Sequence, residues 1–331
     1  MRVLLSLSPP DGTTKYVVQL TQGMPQEVTI EYFSWVRAIL GKYDVFHVHW
    51  PEFLVRSNRP SRHAVKIILC AFFVVSLAVR RKPVVRTVHN IAPHEGGGRI
   101  EKMLLRAIDR LTVVSIRLNP HTQLPSNVTP FTILHGHYVD WFSGREIQER
   151  ERGRLLNFGL IRPYKGVESL IDVVAGHNDS NLILRVVGKP IGREIRDKIV
   201  EKASISDRIS LRLAFVQDDE LISEIGRSEL VILPYKEMHN SGAALLSLSL
   251  ETPILVPSNP VTESLRAEVG PQWVHTFNKE VTAQDIDAAL ERTRSADPQC
   301  RPNLDGRDWE HLGRQHQEAY GVAVQTKRRL Q

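Results

Sequence analysis

Residues 154–188 read RLLNFGLIRPYKGVESLIDVVAGHNDSNLILRVVG. Two short apolar runs, residues 155–159 and 182–188, flank a stretch over 167–176 whose apolar residues recur at helical spacing. This is the pattern of a strand, a helix and a second strand. Strands joined through a helix run parallel, and a parallel sheet must be covered on both faces. The alternation continues in both directions. Downstream follow a charged helix from Gly192 to Lys202, then ISLRL, DDELISEIGRS, ELVILPY, AALLSLSLE and PILVP. Upstream lie VLLSL, a helix-like stretch from Thr29 to Leu40, DVFHVH, a long apolar run, PVVRTVH, a helix from Arg99 to Asp109, LTVVS and PFTILHG. An α/β protein built from doubly wound parallel sheets is predicted.

At 331 residues the chain exceeds what one core usually organises. The polar segment SGREIQERERGR, residues 143–154, reads as a linker. It divides the chain into domains over 1–148 and 149–305. A C-terminal helix over 306–331, carrying Trp309, Leu312 and Tyr320, is left to dock back on the first domain. A composition of 42% hydrophobic and 24% charged residues excludes a disordered chain, and the lack of an internal repeat excludes a solenoid. Cys70 and Cys300 stand in unrelated contexts, which fits a reducing cytoplasm and neither a disulfide framework nor a zinc site. The N-terminal MRVLLSLSPPDG lacks the features of an export signal and reads as a first strand.

The apolar run Ile67–Val79 is shorter than a bilayer crossing needs and is expected as a buried helix. Its flanks, Arg62, Lys66, Arg80, Arg81 and Lys82, allow a second reading, in which one side of the helix rests on an anionic membrane surface. The net charge of +6 fits acidic partners in general, from phosphates to anionic lipids.

Doubly wound sheets bind ligands at the carboxyl ends of their strands, so the residues just beyond each strand carry the function. After DVFHVH come Trp50, Pro51 and Glu52; after PVVRTVH come Asn90, His94 and Glu95; after PFTILHG come His137 and Tyr138. A polar pocket is expected there. In FGLIRPYKG, Arg162 and Lys165 leave a strand and could neutralise a diphosphate. In ILPYKEMHNSGAALLSLSLETP, Asn240 or Ser241 caps a helix, and Gly242 lets a phosphate approach its free N–H groups. No GxGxxG, phosphate-loop, nucleophile-elbow or HExxH motif is present, which argues against the corresponding dehydrogenases, ATPases, hydrolases and zinc proteases.

The strings DVFHVHWPE, TVHNIAPHE, ILHGHY, FGLIRPYKG and NSGAALLSLSLETP resemble, in order, the landmarks of bacterial GT-B-fold glycosyltransferases that build exopolysaccharides and glycolipids. They are most like the GDP-mannose-dependent mannosyltransferases of xanthan-like pathways. The resemblance implies two Rossmann-like domains facing a cleft, an acceptor domain over 1–148 and a nucleotide-sugar domain over 149–305. It implies hexosyl transfer, mannose favoured, from a nucleoside diphosphate sugar to a glycan or lipid-linked acceptor. By position, Lys165 and Arg162 would hold the diphosphate with Asn240, Ser241 and Gly242. Leu160 stands where the family usually has an arginine, which shifts weight from Arg162 to Lys165. His89 would stand at the reacting sugar, with Glu52 and Glu95 as candidate catalytic bases. His49, Asn90, His94, His137 and Glu237 would line the sugar or acceptor pocket.

Glu237 is not followed, eight positions on, by the second glutamate of retaining enzymes, because Leu245 stands there and Glu251 is too distant; both stereochemical courses stay open. No cofactor is implied beyond the sugar nucleotide. Metal independence is expected, since Asp218 and Asp219 open a helix and do not form a metal motif. A cytoplasmic enzyme, peripheral at the inner membrane face and without a nucleic-acid partner, is implied. Two rival readings are a sugar-nucleotide epimerase and a non-catalytic, nucleotide-binding regulatory module.

Overall fold

The computed structural model describes residues 1–10, 15–57, 59–89, 98–145, 148–236 and 238–329. The chain forms two compact units, Met1–Gly136 with Gly306–Gln331, and His137–Asp305. The first contains β1 (Arg2–Leu5), α1 (Lys15–Gln22), β2 (Thr29–Glu31), α2 (Trp35–Leu40), β3 (Val45–Val48), α3 (Pro60–Val79), β4 (Val84–Val88), α4 (Arg99–Leu111), β5 (Thr112–Arg117) and β6 (Thr129–Thr132). The second contains α5 (Val139–Phe142), β7 (Glu151–Phe158), α6 (Val167–Ala175), β8 (Ile183–Val187), α7 (Arg193–Ala203), β9 (Ile209–Arg212), α8 (Asp218–Gly226), β10 (Ser228–Ile232), α9 (Gly242–Ser249), β11 (Ile254–Pro257), α10 (Pro260–Val269), β12 (Val274–Phe277) and α11 (Ala283–Ser295). The last helix, α12 (Trp309–Arg329), returns to the first unit.

Each unit holds one parallel sheet, ordered β2-β1-β3-β4-β5-β6 and β12-β11-β10-β7-β8-β9. In both, the chain winds outward on one side of the first strand and then switches to the other. The switch points lie between β1 and β3 and between β7 and β10. There the loops at the strand ends diverge and leave a crevice.

Two expectations from periodicity change. The helix-like stretch Thr29–Leu40 begins as the edge strand β2, which is too short to show an alternation of its own. The end of the polar linker is strand, since β7 starts at Glu151. Its charges are absorbed by tertiary pairs: Arg154 bridges Glu151 at 3.0 Å and the buried Glu224 at 2.7 Å, and Glu224 also takes Arg185 at 2.9 Å. Charges so paired enter a sheet at little cost, whereas unpaired they would bar it. The units divide after Gly136, ahead of the 148/149 boundary, because Tyr138 and Phe142 sit in the second core. Tyr138 N–H donates to Ser249 Oγ at 2.8 Å.

The segment after Gly306 belongs to the first unit, where Trp309, Leu312, Ala319, Tyr320 and Ala323 join the core formed by Val3, Val45, Val85 and Val114. The approach of α12 to the residue closing α1 needs a glycine on each side: a Cβ on Gly313 would lie 1.9 Å from Gly23 O. Gly313→Val is therefore expected to destabilise the protein by about 2–3 kcal/mol, lowering Tm by roughly 5–10 °C. Gly321→Ala, on the same helix with open space around its Cα, is expected to leave Tm unchanged or slightly raised. Calorimetry of the two variants checks the pair.

The expectation of a buried helix over Ile67–Val79 is also corrected. α3 runs from Pro60, a residue pre-set for the first helical turn, to Val79, and its most apolar window has a mean hydropathy of 1.9 with 17% buried. By length and composition it matches a membrane span. Yet one stripe, Cys70, Phe73 and Leu77, is fully buried in the core beside Phe46.

Candidate active site

In the first unit β3 leads into His49, Trp50 and a 3-10 turn, Pro51–Leu54, that carries Glu52. The switch point is stapled where His49 N–H donates to Ser6 Oγ, just beyond β1, at 3.0 Å. β4 delivers His89. Its Nε2 lies 3.0 Å from His49 Nδ1, and its ring stacks on Trp50 with centroids 4.1 Å apart. Tyr16 of α1 meets the His89 ring edge-on at 5.2 Å. Two residues earlier along each segment, His47 Nε2 pairs with Thr87 Oγ1 and His47 Nδ1 with Tyr320 Oη of α12, both at 2.8 Å.

The result is a buried ladder of imidazoles. Burial, with mutual repulsion between neighbouring histidines, pushes His47 and His89 well below the usual histidine range, and burial brings His49 to about 3 and His316 to about 4. All four are neutral at neutral pH and act there as hydrogen-bonding groups. Beside them His49, Trp50, Glu52 and His89 line one cavity of about 330 Å³. Arg86, ion-paired with Asp109, and Lys102 and Arg106 close it on the other side.

The sequence missed part of this cluster and misplaced one member. His137 belongs to the second unit, where its Nδ1 accepts from Val139 N–H. His135 occupies the strand end instead, 5.1 Å from the Tyr16 ring, with its carbonyl accepting from Arg307 at 2.8 Å. Burial pushes His135 to about 4. β6 ends at Thr132, so His135 falls over the sheet and His137 lies beyond the change of unit. The spacing of His47 and His49 along one strand was a signal that both belong at the sheet's core; nothing local pointed to His316.

In the second unit β7 runs into Gly159–Arg162 and a 3-10 turn, Pro163–Lys165. Gly166 follows with φ 65°, and a Cβ there would stand 2.2 Å from Pro234 O. Only glycine permits both the backbone angle and the close approach. The basic turn is thereby clamped to the end of β10, where Lys236 N–H donates to Tyr164 O at 2.9 Å and Lys165 Nζ lies 4.7 Å from the centre of the Tyr235 ring. Burial, with the nearby Arg162 cation, holds the Lys165 ammonium below the usual lysine range. The chain beyond Tyr235 passes half-buried Asn240 to Ser241, whose hydroxyl caps α9 by accepting Ala244 N–H at 3.2 Å, and Gly242 is the first helical residue. Lys165 and the N-terminus of α9 are thus both tied to the end of β10, at the β7/β10 switch point. Arg162 is half-buried at the start of the basic turn.

Leu245 is buried in α9, and Glu251 lies past its far end with φ 55°, paired with Arg301 at 3.0 Å. Asp218 accepts from Trp141 Nε1 at 2.7 Å, and Asp219 pairs with Arg145. Asn90, His94, Glu95 and Glu237 lie outside the described residues.

Two doubly wound parallel units, each with polar and charged side chains gathered at its switch point, make up the GT-B architecture. HepE from Anabaena, solved with UDP and glucose, superposes with a TM-score of 0.61 at 12% identity, covering 100% of this chain and 99% of that one. Sucrose-phosphate synthase from Thermosynechococcus elongatus superposes with a TM-score of 0.58 at 12% identity, over 99% and 97%. No protein-family model matches the chain. In sequence it is 44% identical over 324 residues, 97% of its length and 92% of the relative's, to a GDP-mannose:glycolipid 4-beta-D-mannosyltransferase of Xanthomonas campestris pv. campestris. The chain belongs to this family of glycolipid mannosyltransferases and is a glycosyltransferase, neither an epimerase nor a non-catalytic module.

Proposed function

We propose that the enzyme transfers mannose from GDP-mannose to a lipid-linked glycan acceptor, with inversion and without a metal ion, at the cytoplasmic face of the inner membrane. The observation that carries this reading is the 44% identity to a GDP-mannose:glycolipid mannosyltransferase across nearly the whole chain. The sugar in GDP-mannose is α-linked to the diphosphate, so a β-product requires displacement from the opposite face and a base for the acceptor hydroxyl. Lys165, Arg162 and the free N–H groups at Ser241 and Gly242 stabilise the departing diphosphate, the task a metal performs in other transferases.

His49 Nε2 is buried with no partner among the described residues. A bare lone pair there costs less than an orphaned N–H, so His49 donates from Nδ1 to His89 Nε2. Glu52, which shares the cavity with His89, is the carboxylate placed to take the acceptor proton.

A donor screen tests the reading. GDP release from GDP-mannose is expected to require a lipid-linked acceptor, to persist in EDTA, and to give a β-anomeric product by NMR. UDP release from UDP-glucose, an α-product or loss of turnover in EDTA would each overturn the corresponding part.

A further inference from the structure

We propose that the exposed face of α3, extended by α2, is a docking surface that sinks into an anionic lipid bilayer. The helix then lies in the membrane plane, and its N-terminal end opens the acceptor cavity to the lipid phase. This deepens the reading of a lipid-linked acceptor and rests on it for the route of that acceptor alone.

A surface helix normally buries its apolar stripe and shows water a polar one. α3 does the first and not the second. Opposite its buried stripe, Val65, Ile68, Phe72, Val75 and Val79 follow one another at intervals of three and four residues, and all are more than half exposed, Val79 at 76%. On α2, Val36 and Leu40 are exposed at 70% and 75%. α2 is held against α3 where Ser76 Oγ and Arg80 donate to Ile39 O, at 2.9 and 2.8 Å. The apolar surface therefore spans two helices with fixed relative positions, and a contiguous patch of this kind marks a partner.

Charge names the partner. From Phe53 to His94 the sequence contains no Asp or Glu. Arg59 and Arg62 are exposed at the start of α3, and Arg80, Arg81 and Lys82 close it. At that far end a concavity of about 530 Å³ gathers Arg80, Arg81 and Lys82 with Lys327 and Arg328 of α12, against Asp44 alone. An apolar strip with cations at both ends matches acyl chains beneath phosphate headgroups. A crossing orientation is excluded by the core: Cys70, Phe73 and Leu77 are wholly buried beside Phe46, and α3 cannot span a bilayer without tearing them out.

The strip also leads somewhere. Lys66, in the first turns of α3, donates to the carbonyls of Phe53 and Arg56 at 2.8 Å, and the Phe53 side chain is 60% exposed. Behind Phe53 a cavity of about 500 Å³ is lined by Phe33, Trp35, Leu54 and Trp50. Trp50 also lines the cavity that holds Glu52 and His89. An acceptor whose lipid remains in the bilayer can pass its first sugar over these aromatic faces to the reacting centre.

The test is flotation of the full chain, with no nucleotide present, on vesicles of phosphatidylcholine alone or with phosphatidylglycerol. The wild type is expected to float with the anionic vesicles. Ile68→Ser/Phe72→Ser/Val75→Ser is expected to bind on the order of a hundredfold more weakly. Arg59→Gln/Arg62→Gln/Arg81→Gln is expected to lose roughly tenfold and with it the preference for anionic lipid. All six side chains are exposed, so both variants should keep the wild-type melting temperature and GDP binding, which verifies their fold. The apolar triple variant should also keep turnover on a short-chain acceptor analogue while losing it on vesicle-bound acceptor.

Wild type that stays in the dense layer at low salt, or an apolar triple variant that floats like wild type, overturns the proposal. So does a wild-type dimer that the triple variant turns to monomer without any vesicle binding, since the face would then cover a second copy. Failure of GDP-mannose turnover leaves the flotation result readable, so the two readings fail separately.

Discussion

Replacing Lys165 by alanine is expected to lower turnover by roughly a hundredfold, the scale of removing one preorganised charge from a leaving group. The lysine is tied to its place by tertiary structure. Gly166 locks the turn against Pro234 O, and the ammonium rests over the Tyr235 ring, 4.7 Å from its centre. A cation held this way needs no reorganisation when the diphosphate gains charge, and partial burial strengthens its field. The ammonium already sits below its usual range, mainly through burial, and an anion beside it would raise it again. Stability should not fall in Lys165→Ala, because the variant removes a charge whose burial opposes folding. Lys165→Arg should rescue poorly, since a planar guanidinium does not occupy the position that the compact ammonium holds over the Tyr235 ring. Single-turnover kinetics with GDP-mannose, read beside calorimetric GDP binding, separate the loss of transition-state stabilisation from the loss of affinity. Turnover near wild type would remove Lys165 from the mechanism.

The second large effect is on stability against acid. His47, His49, His89, His135 and His316 are all neutral in the folded first unit, with His49 at about 3, His135 and His316 at about 4, and His47 and His89 well below the 6.5 of an unfolded chain. Below pH 6.5 the unfolded chain binds protons that the folded unit refuses. Stability is therefore fully present above about pH 6.5 and declines as pH falls through the window between the unfolded and folded values. Each histidine contributes up to about 1.4 kcal/mol per pH unit in that window, so the first unit should lose on the order of 5–10 kcal/mol between pH 7 and pH 5. The second unit has His275, lowered by burial to about 4, and should respond more weakly. Calorimetry from pH 7.5 to pH 5 is expected to show one transition moving down steeply and a second moving little. His316→Gln, which removes one refused proton, should flatten the steep limb, and a first-unit transition that does not move with pH would refute the neutral ladder.

The lysine effect arises at a strand end, where local pattern suffices. That the chain forms parallel sheets wound on both faces was legible from the alternation of apolar runs with helical stretches, because strand and helix periods are properties of a few neighbouring residues. Lys165, Ser241 and Gly242 were legible for the same reason. A basic turn after a strand and a capped, glycine-led helix start are local chemistry, and a parallel topology brings such ends to one edge. His89, His49 and Glu52 followed from position beyond β3 and β4.

What the tertiary structure alone decided is how distant segments cover one another. The charges of β7 look like a linker until Glu224 of α8 and Arg227 arrive to pair Arg154 and Glu151. His135 replaces His137 because the units part between them, and His316 and Tyr320 reach the ladder only because the chain returns as α12 after the whole second unit. α3 makes the point most directly. Apolar residues on nearly every side declare a helix, and its sequence specifies that much unaided. Which stripe is covered depends on the sheet it packs against, and that contact leaves Ile68, Phe72 and Val75 facing outward.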